Sequence, residues 1–222
     1  MIIAIDGPAG SGKSAVATEL ARKLGFVHLD TGAMYRAVAL AALEAGVISD
    51  PHAVAELSRN VRIDLHFAVE PTEVLLNGRD VTADIRRPEV TNVTYCAADN
   101  PEVRAELVRQ QRLIASRIES LVTEGRDQGT VVFPNAEFKF FIDAQPQERA
   151  RRRVHQLTLK GIDAPYETVL QELLKRDERD RSRLVGPLKP ADDSITIDST
   201  EMNLSEVVTM LAQLVAAGRS GT

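Results

Sequence analysis

Met1 to Ile5 is an apolar run of strand character, the residues from Ala15 onward repeat with helical spacing, and between them stands Gly7-Pro8-Ala9-Gly10-Ser11-Gly12-Lys13-Ser14. A Gly-x4-Gly-Lys-Ser loop between a strand and a helix restricts the fold severely, because it requires the first strand of an α/β sheet to lead directly into a helix N-terminus. Side chains on those glycines would keep backbone N–H groups from converging on phosphate oxygens. The helix directs its unpaired amides and positive dipole end at the same anion. Lys13 has the reach for β and γ phosphates, and Ser14, followed by Ala15, offers a hydroxyl to magnesium. A nucleoside triphosphate with its magnesium ion is therefore expected at this end of the chain.

Bulk properties set outer limits. The 222 residues suit one α/β domain with insertions, with 44% hydrophobic and 27% charged residues in a soluble globular range. A net charge of -5 argues against duplex nucleic acid as the main partner, and the few scattered aromatics supply no stacking platform for a nucleic-acid polymer. The single cysteine, Cys96, has no partner for an internal disulfide and reads as a small buried apolar residue. No secretory leader is read at the start, and the apolar stretch Ala37 to Leu43 is too short to span a bilayer. The expected setting is cytoplasmic, without membrane, and the expected working form is a monomer.

Five short apolar runs read as buried parallel strands: Ile2 to Asp6, Phe26 to Asp30, Leu121 to Glu124, Phe138 to Asp143 and Ile195 to Asp198. Between them, helical stripes are predicted over Ala15 to Leu24 and Ala33 to Ala45, each stopped by glycine. A longer helix opens at Asn100-Pro101 with Val103, Leu107, Ile114, Ile118 and Leu121 on one stripe, and Asn203 to Glu206 resembles a capping box. The alternation predicts a five-stranded parallel sheet with helices on both faces and ligands at the strands' carboxyl ends. Two segments break it. Residues 50 to 90 turn to alternating strands, Val61 to Phe67, Glu73 to Leu76 and Arg79 to Val81, with the hairpin signal Asn77-Gly78, as an antiparallel insert. Arg149 to Pro165, with a Lys160-Gly161 stop, reads as a mobile helical hairpin.

Several charges stand where ligands collect. Asp30-Thr31-Gly32 begins a helix and reads either as ligand donors, with Arg36 a turn further on, or as a plain helix cap. Arg126 and Asp127 follow a buried strand, a costly place for charges that do not face a polar ligand or pair at the sheet rim. Arg176, Asp180 and Arg183 are spaced i, i+4, i+7 and share a face if their helix continues. Such a face suits phosphoryl transfer, where two polyanions must be held against mutual repulsion. The arginines from Arg149 to Arg153 fit a lid closing over the triphosphate and excluding water.

Taken in order, Ile5 to Lys13, Asp30 to Arg36, Asp84-Ile-Arg-Arg-Pro-Glu-Val90, Glu124 to Pro134 and Arg176 to Arg183 make the whole chain resemble the bacterial cytidylate kinases of the nucleoside monophosphate kinase superfamily. The resemblance implies a P-loop NTPase-type core (Gly7 to Ala15 with Arg149 and Arg153 on ATP), a monophosphate-binding lobe over about residues 46–95, a helical lid over about 149–165, and transfer of the ATP γ-phosphate to CMP or dCMP. It implies cytosine contacts from Thr31, Arg104, Asp127 and Arg183. Arg36, Arg126 and Arg176 correspond to arginines on the acceptor phosphate, and Asp180 to a carboxylate that meets ribose hydroxyls. Catalysis is assigned to Lys13, Arg36, Arg126 and Arg176, with no dedicated base. Two positions depart from the pattern: Tyr95 stands where a serine that touches the acceptor sugar is usual, and Ala15 replaces a common threonine.

Overall fold

The computed structural model describes residues 1–67, 72–159 and 161–219. They form two compact units, Met1–Leu29 with Ser120–Thr222, and Asp30–Glu119.

The first unit is organised on a five-stranded sheet ordered β2-β6-β1-β7-β8, from β1 (Ile2–Asp6), β2 (Val27–Asp30), β6 (Leu121–Gly125), β7 (Phe138–Asp143) and β8 (Ile195–Asp198). β1 pairs in parallel with β6 and β7, and β7 in parallel with β8, so Asp6 aligns with Gly125 and Asp143 with Asp198 at the carboxyl ends. Ile3 and Ile5 of β1 are fully buried and share one apolar cluster with Val16 and Leu20 of α1 (Lys13–Leu24) and Val207 and Leu211 of α9 (Leu204–Arg219). The capping box forms: the Asn203 amide donates to Glu206 at 2.8 Å, and the Glu206 amide to Asn203 at 3.1 Å. All five expected strands are present to within a residue at each end.

The predicted hairpin lengthens into two full helices, α7 (Pro146–Thr158) and α8 (Tyr166–Ser182), packed through Ala150, Val169 and Leu173. Lys160, at the expected stop, lies outside the described residues. Helix α8 ends at Ser182, so Arg183 leaves the helical face on which Arg176 and Asp180 stand, although it still pairs with Asp180.

The second unit carries α2 (Thr31–Glu44), α3 (Pro51–Asn60), the strands β3 (Ile63–His66), β4 (Glu73–Leu76) and β5 (Arg79–Asp80), then α4 (Pro88–Val93), α5 (Tyr95–Ala98) and α6 (Pro101–Ala115). The strands form the expected antiparallel sheet, ordered β3-β4-β5, with Ile63 opposite Leu76 and the Asn77-Gly78 turn joining β4 to β5. Two expectations need correction. The segment from residue 50 is not strand throughout: Asp50 accepts from the amides of His52 and Ala53 and Pro51 fills the first turn, a strong helix start for α3. Helix α6 stops at Ala115, so Ile118 and Leu121 lie beyond its stripe, and Leu121 is buried in β6 instead.

Candidate active site

At the end of β1 the chain leaves the sheet through Gly7, where a Cβ would stand 2.1 Å from the Ile142 carbonyl oxygen of β7. Only glycine lets the loop pass that close to the neighbouring strand. The loop then delivers Lys13 as the first residue of α1, buried, with its ammonium donating to the Pro8 carbonyl at 3.0 Å. Burial, together with the Arg126 guanidinium, lowers the Lys13 pKa to about 7, against the pull of Glu124. Ser11 is buried and its hydroxyl has no hydrogen-bond partner among the described residues, whereas Ser14 is exposed. A hard hydroxyl open to solvent beside a polyphosphate loop fits a magnesium ion held mainly by phosphate and water oxygens. Among the described residues no cluster of three or more His, Cys, Asp or Glu could hold a metal alone.

Asp6 belongs to the same neighbourhood. Its two carboxylate oxygens accept from the amides of Gln128 and Gly129, both at 2.8 Å, and burial raises its pKa to about 7 despite those bonds. Asp127 is buried just before a π-helical turn, Gln128–Val132, and its carbonyl oxygen accepts from Val131 and Val132. A π turn of this kind re-aims the chain at functional sites.

Arg126 donates through Nε to Asp180 at 2.7 Å. The same carboxylate accepts from Arg183 and lies 4.0 Å from Arg176. Burial alone would raise the Asp180 pKa, but Arg126, Arg183 and Arg176 outweigh it and hold the carboxyl below its usual range. Lys13, Arg126, Arg176, Asp180 and Arg183 are therefore brought together within one unit, Arg183 from just beyond the end of α8.

Arg149 is the exception. Its side chain is buried, with Nε on the Ala144 carbonyl and Nη1 on the Ala9 carbonyl, both at 2.9 Å, and Nη2 paired with Asp177 at 2.6 Å. Arg149 was expected on the triphosphate; in the structure each of its three nitrogens is engaged by the protein itself. Arg153, further along α7, is half-buried.

Within the second unit, Asp30 caps α2 by accepting from the Ala33 amide at 3.0 Å, and its other oxygen meets Arg36 at 2.9 Å and Arg86 at 3.2 Å. The cap and the charge pairing coexist. Thr31 is buried at the start of α2, and Arg104 is buried with its guanidinium 5.4 Å over the Tyr35 ring and donating to the Ala98 carbonyl at 3.0 Å. Cys96 is a buried free thiol, as expected, and Tyr95 is exposed.

Sequence reading gave no separate role to Asp6, Arg86 and Asp177, and placed Arg152 only within the lid run. Asp6 carried a usable signal, an acidic residue ending a strand. Arg152 pairs with Glu148 one turn back and also donates to the carbonyls of Ser199 and Thr200, and only the first of these partners is local in the chain. No helix among the described residues is long and apolar enough to cross a membrane.

Known proteins resemble this chain over nearly its full length. Solved structures of similar fold include a protein of Eubacterium ventriosum (TM-score 0.55, 15% identity, 97% of this chain and 98% of that one) and TT1252 of Thermus thermophilus (TM-score 0.52, 20% identity, 98% and 96%). The cytidylate kinase of Vibrio cholerae is 44% identical over 96% of this chain and 95% of its own. That of Carboxydothermus hydrogenoformans is 46% identical over 97% of both. The sequence model of the cytidylate kinases matches residues 3–217. With its phosphate loop, strand order and nearly full-length likeness in agreement, this chain belongs to the cytidylate kinase family.

Proposed function

We propose that this chain transfers the γ-phosphoryl group of ATP to CMP or dCMP by direct in-line displacement. One observation supports the reading most strongly: the buried loop lysine, Lys13, lies within the electrostatic field of Arg126, Arg176 and Asp180, so donor-loop and acceptor-type charges act on one another in the same unit. A phosphate oxygen of the acceptor attacks the γ-phosphorus, a new P–O bond forms, and the bond to the β–γ bridging oxygen breaks with its electron pair leaving on ADP. An ionised phosphate oxygen needs no base, so positioning and charge neutralisation carry the catalysis.

In this reading Gly7 to Ala15 and Arg153 hold the triphosphate, and Lys13 follows the migrating charge. Magnesium, when bound, neutralises phosphate charge, with the Ser14 hydroxyl as its protein ligand. Arg36, Arg126 and Arg176 hold the acceptor phosphate, Asp180 its ribose, and Thr31, Arg104, Asp127 and Arg183 its cytosine. The insert over about 46–95 serves the monophosphate, about 149–165 acts as the lid, and the protein works as a monomer on small molecules. A substrate phosphate entering between Arg126 and Arg176 would share those guanidiniums with the carboxylate of Asp180.

Turnover of ATP made chiral at the γ-phosphorus tests the mechanism. Inversion in the diphosphate product supports one in-line transfer, and retention would mean two. Hydrolysis indifferent to CMP would instead indicate a nucleotide-driven switch.

A further inference from the structure

The phosphate loop is held from behind by the α7–α8 hairpin. The Ala9 side chain lies in the apolar cluster of Ala150, Val169 and Leu173, while the Ala9 carbonyl accepts from Arg149 at 2.9 Å. At Gly10, whose φ is 77°, a Cβ would meet the Arg149 Cβ and carbonyl oxygen at 3.2 Å, so helix and loop backbones are in close contact there. Arg149 is fixed in turn by Asp177, which is 1% exposed and, among the described residues, has no hydrogen-bond partner beyond this ion pair.

A buried carboxylate satisfied by one guanidinium is a poor source of stability, since a packed apolar pair of similar volume does as well or better. The arrangement does supply geometry. Asp177 fixes the plane of the Arg149 fork, and the fork fixes the Ala9 carbonyl, and with it the peptide leading into Gly10. Asp177 also stands on α8 beside Arg176 and one turn before Asp180, so one helix anchors the loop and carries the acceptor-type charges.

We infer that Arg149 and Asp177 are positioning residues that shape the donor-phosphate loop through the Ala9 carbonyl, without touching the nucleotide. The inference rests on the phosphate-loop reading above and adds a residue pair to it.

The test uses three variants of the full chain: Arg149→Lys, Asp177→Asn, and the double Arg149→Met/Asp177→Leu. The double variant removes both charges, so it avoids the unpaired buried charge that can keep a single variant from folding, and losing the donors to the Ala9 and Ala144 carbonyls is expected to lower its melting temperature by roughly 5–10 °C. Binding of magnesium-ATP and of magnesium tripolyphosphate is measured without acceptor, and binding of CMP without donor. The double variant is expected to bind both polyphosphates about tenfold more weakly, the size of one lost positioned hydrogen bond, with CMP affinity within about twofold of native. If soluble, Asp177→Asn shows the same pattern. A folded double variant with native polyphosphate affinity would overturn the inference, leaving the pair a packing element. Unchanged or tighter ATP binding by Asp177→Asn would overturn it too, because a freed guanidinium that helps ATP is a direct ligand. Failure of the native chain to bind ATP would sink the phosphate-loop reading instead.

Discussion

The carboxylate of Asp180 accepts a 2.7 Å hydrogen bond from Arg126 while Arg183 pairs with it from the next turn, so one buried anion balances two guanidiniums where α8 ends. Converting it to an amide removes the buried charge that both cations share. Asp180→Asn is expected to cost about 3 kcal/mol, the low end for breaking a buried pair. At roughly 2–4 °C per kcal/mol for a chain of this size, the melting temperature should fall by about 10 °C. Calorimetry checks it, and CMP should restore more stability to the variant than to the native protein.

Arg176 is the most exposed of the three arginines, with its side chain 44% exposed and 4.0 Å from Asp180. Its loss should leave the fold intact. Arg176→Ala is expected to raise the KM for CMP by about 10–100-fold, as for one lost charge-assisted hydrogen bond, with ATP affinity nearly native. An equal loss for both substrates in steady-state kinetics would contradict that division of labour.

Burial lowers the Lys13 pKa to about 7 and raises that of Asp6 to about 7. Between about pH 4 and 7 the folded chain keeps a proton on Asp6 that the unfolded chain has lost, so stability falls as pH rises. From about 7 to 10 the unfolded chain holds a proton that Lys13 has released, so stability rises again. These two groups therefore contribute a stability minimum near neutrality in the ligand-free protein. A polyphosphate stabilises the charged lysine, so ATP binding at pH 8 should take up a proton, and affinity should fall as pH rises above 7. Titration calorimetry in buffers of different ionisation enthalpy measures both.

Lys13→Met removes a desolvated ammonium and keeps the apolar stem. The ligand-free variant is expected to melt at or above the native temperature and to lose the alkaline rise in stability, while kcat falls by about 10²–10³-fold or more. A large loss of thermal stability would mean that Lys13 serves the fold.

Features set by neighbours in the chain were legible from the residues alone: the loop, the five strands, the Asn77-Gly78 hairpin and the capping box at Asn203. Helix α3 had an equally local signal in Asp50-Pro51, masked because the flanking apolar residues also suit strands. The long-range partnerships were not legible. Arg149 looks like any member of an arginine run until the fold brings it to Ala9, 140 positions away, and Asp6, although its place at a strand end marks it, acquires partners only when Gln128 and Gly129 turn their amides onto it. A charge run reads the same whether it is solvated or buried, because the difference lies in groups far off in sequence.

The central claim is tested most directly by an acceptor panel: purified protein with ATP and magnesium, offered CMP, dCMP, UMP, AMP or no acceptor, with nucleoside diphosphates separated and quantified. The account predicts that diphosphate forms chiefly from the cytidine nucleotides, the ratio of CMP to dCMP reporting what Tyr95 does in place of serine. Product from AMP alone, or ATP turnover equal in every lane, would contradict it.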